Sequence, residues 1–84
     1  MCILIADAPA PAALREVSGI GAFVETNARP GLGDMVELHH PEAGAISGRV
    51  TAVGLDGVRI AFDGREPAIA FALGAVAADM SRPA

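Results

Sequence analysis

The sequence predicts a mostly β protein, a small six-stranded antiparallel barrel followed by one carboxyl-terminal helix. Three observations predict it. Short apolar runs alternate with polar residues at the two-residue period of a half-buried strand. Clusters of glycine, proline and aspartate divide these runs at close intervals, as hairpin turns do. After residue 65 the pattern changes to alanine-rich sequence with apolar residues at helical spacing.

Residues 1–6 form a short apolar run, read as the first strand. Pro9 and Pro11 then break it, since proline lacks the donor a ladder needs. Residues 12–17 read as a second strand, and residues 18–21 as a turn in which Gly19 and Gly21 flank Ile20. Residues 22–26 form a third strand, with Phe23 and Glu25 on one face and Val24 on the other. A loop through Arg29, Pro30 and Gly31 leads to a fourth strand, residues 35–39, whose Val36 and Leu38 alternate with Met35, Glu37 and His39. Residues 40–44 turn around Pro41. Residues 46–55 form the fifth strand, with Gly48 read as a bulge site. Asp56-Gly57, between two alternating runs, marks a hairpin centre. Residues 58–62 form the sixth strand, closed by Asp63-Gly64. The helix spans residues 66–80, with Pro67 in its first turn and Glu66 against its positive end. Ile69, Leu73 and Val76 fall at i, i+4 and i+7, a stripe expected to face the barrel or a partner chain.

The 84 residues read as one domain, with the barrel over about 2–63 and the helix over about 66–80. A domain this small buries only roughly 60–65% of its unfolded surface, so its core is thin. The larger core candidates are Ile3, Leu4, Ile5, Val17, Ile20, Phe23, Val24, Val36, Leu38, Val50, Val53, Val58, Ile60, Phe62, Ile69, Phe71, Leu73 and Val76. That set closes one small barrel and leaves no volume for a deep cofactor cavity, so no cofactor is expected.

The formal net charge is −4, and every basic residue is arginine. This acidic balance argues against nucleic-acid polymers and anionic membranes as partners. Cys2 stands alone and makes neither an internal disulfide nor a cysteine metal cluster. Residues 1–6 lack a basic leader region, and no run approaches the ~20 apolar residues that span a bilayer, so the cytoplasm is the expected compartment.

The titratable residues do not assemble a catalytic pattern. His39 and His40 are adjacent on a strand and point to opposite faces, so they share no metal and read as a partly exposed strand end. Asp56, Asp63 and Glu66 sit where turn chemistry wants them. Arg49 and Arg59 lie on either side of the last hairpin, either as an anion site or, as we read them, as solvated barrel-surface residues. With no nucleophile elbow, phosphate loop or paired-histidine motif, an enzyme is not expected.

One stretch carries a family resemblance. Arg15-Glu16-Val17-Ser18-Gly19-Ile20-Gly21-Ala22-Phe23-Val24 resembles the second signature of PilZ domains, in which an Asp or Asn is followed at fixed spacing by Ser and Gly. Ser18 and Gly21 fit it, and Glu16 stands where the family has Asp or Asn. Residues 30–38, then Gly48-Arg49-Val50, then residues 57–62 continue the likeness along nearly the whole chain, including the terminal helix such domains often carry.

The resemblance implies a barrel with a binding and regulatory role, and a cyclic di-GMP site at Glu16, Ser18 and Gly21. The family's first signature is two arginines four apart just before the first strand. In this alignment it falls before Met1, and no two arginines of this chain stand four apart. The expectation is therefore a non-enzymatic PilZ-like domain with weak or no cyclic di-GMP binding, acting through a protein partner, with homo-oligomers left open. The alternatives are a true receptor whose arginine pair lies upstream and, more remotely, an unrelated SH3-like interaction barrel.

Overall fold

The computed structural model describes residues 1–80. Six strands, β1 (Cys2–Ile5), β2 (Pro9–Ser18), β3 (Gly21–Thr26), β4 (Met35–His40), β5 (Gly44–Val53) and β6 (Val58–Ala61), precede one helix, α1 (Glu66–Met80). The strands close into a barrel in the order β1-β2-β3-β6-β5-β4, with every neighbouring pair antiparallel. Closure leaves no unpaired sheet edge.

Alternation decides which residues fill the barrel. Cys2 and Leu4 of β1, Ala22 and Val24 of β3, Val36 and Leu38 of β4, and Val58 and Ile60 of β6 are all buried, each pair two residues apart. The same rule sends Ile3 outward, although it is as apolar as its neighbours. Ile20 also leaves the expected core, because it occupies the tip of the β2–β3 turn, where it is exposed.

The prolines do not break the second strand. β2 starts at Pro9, and Pro9 and Pro11 pair with Ile5 and Ile3. The Pro11 carbonyl accepts a hydrogen bond from the Thr26 hydroxyl (2.9 Å), so this carbonyl points toward β3. In a strand the N–H and C=O of one residue point to the same side. The missing proline donors therefore face the β3 side, ahead of the first β2–β3 pair at Ala12 and Thr26, where no ladder bond is lost.

Two bulges shape the barrel, at Arg15 in β2 and at Thr51 in β5. The fifth-strand bulge is thus not at Gly48. Gly48 is a close-approach position, where a Cβ would stand 2.3 Å from Ile60 Cγ2 and 2.9 Å from the Ala61 carbonyl. The β5–β6 hairpin is also shifted by one residue. Gly54 N–H donates to the Gly57 carbonyl (2.9 Å), so Leu55-Asp56, not Asp56-Gly57, forms the centre.

The helix lies on the barrel with another face, so of the two places expected for the stripe, barrel or partner chain, the barrel is ruled out. Ile69, Leu73 and Val76 are exposed, at 46%, 67% and 41%. The buried side is Ala68, Phe71, Ala72, Ala75 and Ala78, a stripe with the same helical period. Phe71, only 2% exposed, meets Phe62 and His40 edge to face, with ring centroids 6.0 and 6.2 Å apart. The physical reason is space. The Phe71 ring fills the space beside Phe62 and His40, and the alanines on the same side of α1 let the helix backbone approach. Gly74 continues this close fit, since a Cβ there would stand 3.1 Å from Ala43 Cβ in the β4–β5 turn.

His40 is correspondingly a core residue, not a partly exposed strand end. Its Nδ1 accepts hydrogen bonds from the backbone N–H groups of Glu42 and Ala43, both at 3.0 Å, and so holds the β4–β5 turn. His39 faces out, with Nε2 2.9 Å from Glu37 Oε1.

This packing separates two substitutions. Phe71→Ala should cost about 3–5 kcal/mol, the range for emptying a buried aromatic site. Leu73→Ala should stay within about 0.5 kcal/mol of the parent, as exposed positions do. Urea unfolding of dilute protein measures both, and equal losses would contradict the observed helix orientation.

Candidate functional site

The outer wall of the barrel carries one constellation that depends on register. Glu16 pairs with Phe23 across β2 and β3, and Phe23 pairs with Arg59 across β3 and β6. The three side chains thus form one row over three strands. The Arg15 bulge makes this row. Before it, Leu14 pairs with Val24 on the inner face; after it, Glu16 pairs with Phe23 on the outer face, so consecutive residues Arg15 and Glu16 both point outward.

Arg59 spans the row. Its guanidinium carbon lies 5.3 Å from the centroid of the Phe23 ring, and its Nη2 stands 3.8 Å from Glu16 Oε2. The backbone carbonyl of Arg59 accepts from the Thr51 hydroxyl (3.3 Å), which ties the second bulge to the same place. Beside the row is a shallow cleft of about 270 Å³, whose lining includes Glu16, Ser18, Gly21, Thr51 and Arg59. The three residues singled out in the sequence are therefore brought together, and Arg59 and Thr51 join them. That volume is below the ~300–1,000 Å³ that encloses a small ligand, so a ligand here would lie on the wall and not in a cavity.

Local chemistry accounts for the other members. Ser18 Oγ accepts from Ile20 N–H (3.3 Å), a serine turn that starts the β2–β3 reversal. The Ile20 carbonyl accepts from Phe62 N–H (2.8 Å) and fixes that reversal to the end of β6. Gly21 lies where strands crowd: a Cβ would stand 2.6 Å from the Ile60 carbonyl.

Three of the other described arginines have other tasks. Arg15 grips Glu25 with Nε to Oε1 at 2.7 Å and Nη2 to Oε2 at 3.0 Å. These hydrogen bonds, more than the charge itself, hold the Glu25 carboxyl below its ordinary range, and they raise Arg15. Arg29 donates to the carbonyls of Thr26 and Ala28 (3.0 and 2.9 Å). Arg49 donates to the Gly33 carbonyl (3.0 Å). Arg49 pairs with Ala61 and Arg59 with Ala52, so the two arginines do not sit opposite each other.

Asp63 Oδ1 accepts from Arg65 N–H (2.9 Å), turn chemistry leading into the helix. Among the described residues no three histidine, cysteine or acidic side chains are placed to hold a metal, and no helix is long and apolar enough to cross a membrane. A larger groove of about 600 Å³ lies on the other flank of Phe23, but Glu25 and Asp56 line it without any arginine, which suits no anion. Comparisons with protein-family models, curated proteins and solved structures return no match.

The row Glu16–Phe23–Arg59 was not visible in the sequence. The signal available was the outward phase of Phe23 and Arg59; the missing datum was the bulge that sets Glu16 in register with them. Gly21→Ala tests the crowding at this site. Its new methyl meets backbone, which does not swing aside, so a loss of about 1–3 kcal/mol is expected in chemical denaturation. A neutral result would show that β3 and β6 are less tightly apposed.

Proposed function

We propose that this chain is a non-enzymatic regulatory domain of the PilZ type, cytoplasmic, that acts through protein contacts and binds cyclic di-GMP weakly or not at all. One observation carries the reading. The cleft holding Glu16, Ser18 and Gly21 contains a single guanidinium, Arg59, and that group already reaches Glu16. A ligand with two phosphates calls for two charge-assisted clamps. Arg15, Arg29 and Arg49 are each bonded to other groups, and Arg65 does not line the cleft.

The remaining features of the wall favour recognition over chemistry. Ser18 and Thr51 are engaged with backbone groups, so neither hydroxyl is paired with a base that would activate it. Arg59 over Phe23 offers a flat, polarisable surface of the kind that receives a planar base or a partner's side chain.

Each charge-assisted phosphate contact contributes roughly 1.5–3 kcal/mol, so the lack of two weakens binding by roughly two to four orders of magnitude. Calorimetry with cyclic di-GMP should therefore show weak or no heat of binding. Any shifts mapped by NMR should centre on Glu16, Ser18, Gly21 and Arg59, and Arg59→Ala should remove them. Sub-micromolar binding by these 84 residues would overturn the degenerate-site reading and make the chain a receptor.

A further inference from the structure

We propose that α1 is a self-association face, and that two copies of this chain pair through it, antiparallel, about a twofold axis at Leu73. The inference rests on the helix and on Ile20 beside it, and it does not require the barrel-wall cleft to bind a nucleotide. The inner side of α1 is already spent on the barrel through Phe71 and four alanines. The outer side is apolar as well. From Pro67 to Ala78 the helix contains no charged or polar side chain. A helix that is apolar on every side is buried on every side, and here one side lacks its cover.

The spacing of the outer face says what covers it. Its exposed residues are Ile69, Ala70, Leu73, Val76 and Ala77. Reversing the helix about Leu73 places Ile69 opposite Ala77 of the second copy and Val76 opposite Ala70, with Leu73 opposite itself. Ile69 and Val76 each meet an alanine, and the two Leu73 side chains meet at the axis. A twofold interface needs a patch complementary to itself, and this sequence supplies one. Ile20, 74% exposed, extends the patch, because the β2–β3 turn runs beside Ile69: a Cβ on Gly19 would stand 3.1 Å from Ile69 Cγ1.

The area sets the strength. α1 is about 22 Å long at 1.5 Å per residue. Two such faces with Ile20 at the rim bury roughly 800–1,000 Å² in total, below the ~1,200–2,000 Å² of stable interfaces, so the dimer is weak and transient. Each copy carries a net charge of −4, and the contact itself is uncharged. Added salt should therefore tighten the dimer by screening repulsion, the reverse of an ionic interface.

Sedimentation equilibrium across the micromolar range tests this. The parent chain should show monomer and dimer, with more dimer at high salt. Leu73→Asp should weaken the dimer by at least ~10-fold while its dilute urea midpoint stays that of the parent. Leu73→Cys should form a disulfide-linked dimer on mild oxidation, and Ile69→Cys, displaced from the axis, should do so much less. A parent chain monomeric at the highest concentration overturns the proposal. So does a Leu73→Asp variant that still dimerises, or one that unfolds, which would place Leu73 in the core. A monomeric parent that binds zwitterionic vesicles would assign the face to lipid and equally overturn it.

Discussion

The structure depends on one ring in one opening. Phe71 enters the barrel mouth and meets Phe62 and His40 edge to face. In a chain of 84 residues a six-stranded barrel has little interior to share. The ring fills what the strands leave, and the alanines on the same side of α1 keep the helix close enough for it to reach. His40 is fixed by the same contact: with its ring against Phe71, its Nδ1 accepts two backbone donors and closes the β4–β5 turn. The rotation of α1 about its axis follows, and with it the outward placement of Ile69, Leu73 and Val76.

The number of strands and their succession along the chain were legible, because alternation and turn residues agree over most of it. What escaped has identifiable physical causes. Pro9 and Pro11 read as breakers, but their missing donors face a side without ladder bonds. Gly48 read as a bulge, but it is needed for close packing against Ile60, and the bulge fell at Thr51, which carries no glycine signal. The helix offered two stripes of equal period. Hydrophobicity alone does not decide between them: Phe71 and the alanines pack on the barrel, and the bulkier branched stripe is left outside.

The candidate site shows the same division. The sequence pointed to Glu16, Ser18 and Gly21, and the fold sets them on one wall. It did not point to Arg59 as their neighbour. That relation spans three strands and depends on a bulge at Arg15, and register of that kind is absent from local pattern. The outcome is a wall with one cation above one aromatic ring, half-balanced by Glu16. Such a surface favours recognition over reaction. Ile20 lines the cleft and also borders the bare face of α1, so the polar wall and the apolar helix adjoin there.

The seating of Phe71 is the claim on which the account turns, and a nuclear Overhauser experiment with selectively labelled phenylalanine tests it most directly. The account predicts strong cross-peaks from the Phe71 ring to the rings of Phe62 and His40, which persist on dilution because they are intramolecular. A Phe71 ring without barrel contacts, together with cross-peaks from Leu73 methyls to Phe62, would contradict it.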